Sequence, residues 1–220
     1  MRASVPLTPA DVEYITAGFV TLEALCTLRA ERPEDIRALI GDGRLPCPSY
    51  VLGDGTEMFP PDYFSLVDAA GGVDALPAHF EGRYLRAAAA AGVPATAAQA
   101  AEEWRGYLSG EYGVCLRVVT PENIVVKERL VALISEQLAS PQPADAAWAA
   151  ALRERVDALD AFTRPFAPSD RARFGGPVSR DRCVTAPRQR YPEIFGNGPP
   201  ATQGAACLRK AGPQLLNVEP

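Results

Sequence analysis

A chain of 220 residues with 47% apolar residues and a net charge of −5 is long enough for one large or two small domains around a real core. Its five cysteines, Cys26, Cys47, Cys115, Cys183 and Cys207, are scattered without a CxxC pair, and His79 is the sole histidine, which argues against a disulfide framework and against a zinc or haem site. No apolar run approaches membrane-spanning length and the start turns acidic within eleven residues, so a cytoplasmic protein with no signal peptide is expected.

In chain order, Thr8-Pro9-Ala10-Asp11 reads as an N-cap, a first-turn proline and an acid at the third position, and predicts a short helix over 9–17. Leu22, Leu25, Leu28, Ile36, Leu39 and Ile40 keep helical spacing across a turn at Ala30–Arg32. Pro33 with Glu34 and Asp35 opens the second of these helices, and Gly43 ends it. Tyr50–Leu52 and Glu57–Phe59 flank Asp54-Gly55 as a hairpin. Pro60-Pro61-Asp62 predicts a third helix, stopped by Gly71-Gly72, the expected domain boundary. Helices are predicted over 73–92, 97–108, 121–139 and 146–163, with Gly110 and Gly113 breaking the chain around Glu111-Tyr112. Residues 164–195 have little periodicity and many turn residues, and the tail 196–220 reads as weakly ordered.

Charge divides unevenly along this order. Residues 1–64 hold five arginines against ten acids, whereas 164–195 hold seven arginines against three acids. Duplex DNA binding draws most of its affinity from neutralised phosphates, so the acidic N-terminal part is a poor DNA reader.

Two stretches carry reactive side chains. Glu111-Tyr112-Gly113-Val114-Cys115-Leu116-Arg117 places a carboxylate, a phenol, a thiol and a guanidinium between helices. Glu111 and Tyr112 are candidates for acid–base work, and Cys115 for a nucleophile if a neighbouring cation acidifies it. The alternative is that Cys115 is a small core residue between Val114 and Leu116. In the second stretch, Ser179-Arg180-Asp181-Arg182 follows Phe174-Gly175-Gly176-Pro177. Arg180 and Arg182, with Arg117, are candidate anion binders, and Asp181 a further proton carrier. The alternative is an ion-pair network fastening an irregular C-terminal segment. If the site is real, the segment 170–182 folds back against 107–117, with Gly110, Gly113, Gly175 and Gly176 letting the two backbones approach. No metal ligand set and no cofactor motif is present.

The order helix, turn, helix, hairpin, helix over 19–64 resembles the winged-helix head of MerR-type regulators and excisionases. Arg37-Ala38-Leu39-Ile40 and Gly55-Thr56-Glu57-Met58 stand where that head carries its DNA-contacting arginines and aromatics, and Glu57 is the wrong charge for a phosphate. The runs LPCPSYVLGDGTEMFPPDYF, YLSGEYGVCLRVVTPENIV and RFGGPVSRDR together resemble an uncharacterised, mostly actinobacterial family labelled natural-product biosynthesis proteins. The expected architecture is mainly α: a winged-helix head over 1–70 packed on a helical body over 71–195. The resemblance implies a biosynthetic gene-cluster setting, and the protein expected there is an accessory protein or metal-free enzyme of secondary metabolism. It would act on a small acidic or carrier-bound intermediate, or dock another pathway protein, with DNA and membranes not expected as partners. The alternatives are a MerR-like regulator of a biosynthetic cluster and a non-catalytic adaptor.

Overall fold

The computed structural model describes residues 6–196; the predicted tail from 197 onward, with Cys207, lies outside them. Helices dominate, with one small three-stranded antiparallel sheet.

Helix α1 (Pro9–Gly18) starts as its residues predict. The Asp11 N–H donates to the Thr8 hydroxyl, and the Asp11 carboxylate accepts the Thr8 N–H at 2.7 Å. The other Asp11 oxygen accepts the Ser169 N–H at 2.7 Å, so the cap also ties α1 to the C-terminal segment. Strand β1 (Val20–Thr21) leads into α2 (Leu22–Cys26), capped by the Thr21 hydroxyl. Helix α3 (Pro33–Gly41) follows and is closed by Gly43 at φ +68°.

The predicted hairpin forms from β2 (Tyr50–Val51) and β3 (Glu57–Phe59), with Tyr50 opposite Met58. Strand β1 pairs with the other edge of β3, Val20 opposite Phe59. It was not predicted, because two residues carry no periodicity and gain their partner only from a distant strand. The helix predicted from Pro60 instead begins at Ser65, as α4 (Ser65–Ala70). The Asp62 carboxylate, which would have capped it, accepts the Val119 N–H at 2.8 Å, so residues 60–64 remain turns.

Helices α5 (Leu76–Ala90), α6 (Ala97–Leu108), α8 (Pro121–Ala139) and α9 (Ala146–Phe162) follow the predicted spans closely, and α8 packs on both α5 and α9. A short α7 (Glu111–Cys115) lies between α6 and α8. The segment read as irregular carries α10 (Asp170–Arg173), a π-helical turn over Asp181–Thr185, α11 (Ala186–Arg190) and α12 (Pro192–Phe195). Short pieces like these lack the length to be stable alone. Here Cys183, Val184, Tyr191 and Ile194 are buried against Ile134, Leu152, Val156 and Leu159 of α8 and α9. A second cluster joins Leu22, Ile36, Phe59 and Phe64 to Leu76, Phe80, Tyr107, Leu116 and Ile124. Side chains from both sides of the Gly71-Gly72 turn therefore share one core. A third cluster holds Ile15, Phe19, Tyr50, Met58, Val114 and Ala167.

Candidate functional site

Three runs distant in sequence meet along one seam. Helix α7 sits directly on residues 46–49, and two glycines make the approach possible. Gly110 has φ +78°, and a Cβ there would collide with the Cys47 carbonyl oxygen; one on Gly113 would collide with the Ser49 hydroxyl. The Cys47 N–H donates to the Leu108 carbonyl at 2.8 Å, and the Ser49 hydroxyl to the Gly110 carbonyl at 3.3 Å.

Between these backbones lies a cavity of about 20 Å³, walled by Cys47, Ser49, Asp62, Tyr63 and Tyr107 among others, which is room for a single water. Asp62 Oδ1 is buried there without a protein hydrogen-bond partner. The Tyr63 hydroxyl donates to the Pro46 carbonyl at 2.7 Å. Burial pushes the Tyr63 and Tyr107 phenols well above their ordinary range, with neighbouring negative charge adding to it, so both stay protonated.

The third run closes the seam. The Tyr50 hydroxyl donates to Asp170 at 2.7 Å, and Arg173 Nη1 donates to the Ser49 carbonyl at 2.7 Å. Burial raises the Asp170 pKa against the hydrogen bonds from Tyr50 and the Ala167 N–H. Arg164 laces the far end: Nε donates to the Leu116 carbonyl at 2.9 Å, Nη2 to Arg117 at 3.2 Å and Nη1 to Gly18 at 3.3 Å.

The residues predicted from sequence fall into separate groups. Glu111 opens α7 and is partly buried. The Tyr112 hydroxyl donates to the Glu103 carboxylate of α6, and its ring lies 5.7 Å from the Lys127 ammonium. Lys127 is only 9% exposed and bonds Glu128 at 2.7 Å. Cys115 Sγ lies 3.7 Å from the Tyr112 carbonyl. Burial raises the Cys115 pKa and outweighs the opposing pull of Lys127, so the thiol is not poised as a nucleophile at neutral pH. Lys127 itself is raised, because the surrounding Cys115 and glutamates outweigh the lowering by burial. Sequence reasoning passed over Lys127. The available signal was a lysine retained among arginines at a helical core position.

The second predicted stretch is a fastening network. Arg180 donates to the Thr163 hydroxyl at 2.8 Å and pairs with Asp160, which Arg188 also grips at 2.8 Å. Asp181 is held by Arg171 at 2.6 and 2.8 Å. Arg182 is exposed and bonds the Pro177 carbonyl at 2.7 Å. Arg182 therefore does not reach into a shared pocket with the 107–117 run. Cys183 and Val184, which follow it directly, are taken up by α8 and α9, which turns this arginine outward. What does reach the seam from the segment 170–182 is Asp170, through Tyr50, and Arg173, through the Ser49 carbonyl. Arg117 lies beside the seam with an exposed side chain.

A larger hollow, of about 340 Å³, opens on the outer side of the N-terminal part. Its wall is mostly apolar (Ile36, Leu39, Leu45, Phe64, Val67, Val73), and Arg29 crosses its rim. The Arg29 guanidinium lies 4.1 Å from the Phe64 ring centre and is held by Glu31 and Asp68. That size and lining suit a small ligand. Among the described residues no group of three or more His, Cys, Asp or Glu could hold a metal ion, and no helix is long and apolar enough to cross a membrane.

No curated protein and no solved structure matches the chain. Residues 76–192 match a family of unknown function, DUF6058. The matched span includes the 107–119 wall of the seam, Lys127, Arg164 and Arg173, while the 46–63 wall precedes it. Since the match covers more than half of the 220 residues, the chain belongs to the DUF6058 family.

Proposed function

We propose that this protein is a small accessory protein of bacterial natural-product biosynthesis, acting in the cytoplasm on a small acidic or carrier-bound intermediate. The observation that carries the reading is the seam. The three runs on which the resemblance to natural-product biosynthesis proteins rests are far apart in the chain, yet residues of all three touch there, through Ser49, Gly110 and Arg173. Purely structural segments need not coincide in this way, whereas the walls of a working site must.

The N-terminal part, with α2, a turn, α3 and the β2–β3 hairpin joined by β1, is a winged-helix head in this reading, used for support or docking. Regulation through DNA is the weaker alternative. Arg37 on α3 is held by Glu23 at 2.5 Å and by hairpin residue Glu57 at 2.7 Å, so the charge that should meet a phosphate is already cancelled. A second reading, acid–base catalysis, is favoured by the partly buried polar group of Tyr112, Glu103, Lys127 and Glu128, with Glu111 alongside.

Disrupting the gene in its native host and profiling metabolites tests the proposal. The expected result is loss of one product family and accumulation of an acidic precursor, restored by the wild-type gene. An unchanged profile under producing conditions overturns it.

A further inference from the structure

We propose that Arg164 and Arg117 form a binding site for a doubly charged phosphate monoester, at the edge of the seam between the end of α1 and the Leu116–Thr163 backbone pairing. The proposal rests on the reading above and names the acidic class.

Arg164 is half-buried, and the three bonds it makes all go to carbonyl oxygens, those of Leu116, Arg117 and Gly18. A guanidinium has five N–H donors, so two remain. Among the described residues no carboxylate lies within ion-pair distance of Arg164 or Arg117. The Arg117 side chain is exposed and makes no hydrogen bond or ion pair with them. Arg180 is matched by Asp160 and Arg171 by Asp181, while Arg173 bonds the Ser49 carbonyl and lies against the Tyr50 and Phe174 rings.

A half-buried cation without a counter-ion is costly, and a like charge beside it adds to the cost. Burial lowers the Arg164 pKa and the Arg117 charge works in the same direction. Burial raises the Tyr14 pKa and Asp170 adds to this, while Arg164, Arg117 and Arg180 act against it; the Tyr14 hydroxyl donates to the Pro165 carbonyl. Two acids act on this region from beyond ion-pair distance, each with one oxygen hydrogen-bonded and its Oδ1 without a partner. Asp62 holds the Val119 N–H, while Asp170 holds Tyr50 and Ala167. Arg164, with two N–H groups left, and Arg117 together carry two positive charges without an ion-pair partner, which suits a phosphate dianion better than a single carboxylate.

The test is a titration of the full chain with inorganic phosphate at constant ionic strength, balanced with chloride, following the melting temperature. Ligand binding to the folded state raises it by mass action. The expected result is a rise at pH 8 that is larger than at pH 5.5, where phosphate is mostly monoanionic. Arg117→Ala should weaken the phosphate response about tenfold or more, the effect of losing one charge-assisted contact. Arg182→Ala, an exposed arginine in another segment, should leave it unchanged. No phosphate response overturns the proposal. Equal responses in wild type and Arg117→Ala, or an equal loss in Arg182→Ala, also overturn it, since the attraction would then be general. The two proposals fail separately. A normal phosphate site with unchanged metabolites removes the biosynthetic reading alone. Altered metabolites with an undiminished Arg117→Ala response remove the phosphate site alone.

Discussion

Gly113 has no side chain because Ser49 stands where one would be. Adding a methyl there forces Ser49 or α7 to move, and overpacking of this kind costs about 1–3 kcal/mol. Gly175 is a useful contrast: φ is +77° but the space around it is open, so Gly175→Ala carries only the left-handed strain of about 1–2 kcal/mol. Urea unfolding of the two variants should show both losses. Only Gly113→Ala should also speed labelling of Cys115, the half-buried thiol on α7 itself. Asp11 is the residue most exposed to acid in its effects. Burial alone would raise its pKa, but hydrogen bonds from Thr8 and Ser169 bring it down to about 2 from an ordinary 3.8. A depressed carboxylate pKa means stability that is fully present above the unfolded value and lost as pH falls through the folded one. The melting temperature of the wild type should therefore fall between about pH 4 and pH 2. Asp11→Asn should lower it at neutral pH and flatten that part of the profile. A variant with the wild-type slope would show that Asp11 is not the group responsible.

At the scale of elements, the C-terminal segment shows how short helices are made stable. The π-helical turn over Asp181–Thr185 places Cys183 and Val184 in the core, while its flanking arginine, Arg180, crosses to Asp160 and Thr163 on α9. Removing one member of a largely buried ion pair leaves the other uncompensated and costs several kcal/mol, about 3–5 in the strongest cases. Arg188 still covers Asp160 at 2.8 Å, so Arg180→Ala should cost about 2–3 kcal/mol. Arg182→Ala, with only the Pro177 carbonyl as partner, should stay within about 0.5 kcal/mol. Chemical denaturation distinguishes these. Equal effects would mean that the segment is not held through α9.

For the whole molecule, charge placement decides what the N-terminal part can approach. Among its described residues, Arg29 pairs with Glu31 and Asp68, Arg32 with Asp35, Arg37 with Glu23 and Glu57, and Arg44 with Asp74. Little positive charge remains for a phosphate backbone. Gel-shift titrations at physiological salt should give no binding tighter than the non-specific range of about 10⁻⁶ M. Replacing the hairpin acid with Glu57→Lys should raise duplex affinity and its salt dependence if charge is what prevents binding. A wild-type protein that shifts a specific duplex at nanomolar concentration would reverse the functional ranking.

The long helices were legible because each carries its own signals within a dozen residues. Thr96 and Gln99 cap α6, Thr120-Pro121 opens α8, and Asp145 caps α9. The hairpin was legible from its Asp-Gly turn, and Gly110 and Gly113 were readable as points of close approach. Their partners were not. That these glycines meet Cys47 and Ser49, rather than Gly175 and Gly176, depends on how α7 is carried onto the hairpin. Neither segment encodes that by itself. Strand β1 needed β3, and the short helices after residue 164 needed α8 and α9, because none buries enough surface alone. Asp62, Lys127 and Arg164 became site candidates only in the folded chain. Their chemistry comes from burial and from the polar groups packed beside them, which for Asp62 and Arg164 are brought in from elsewhere in the sequence.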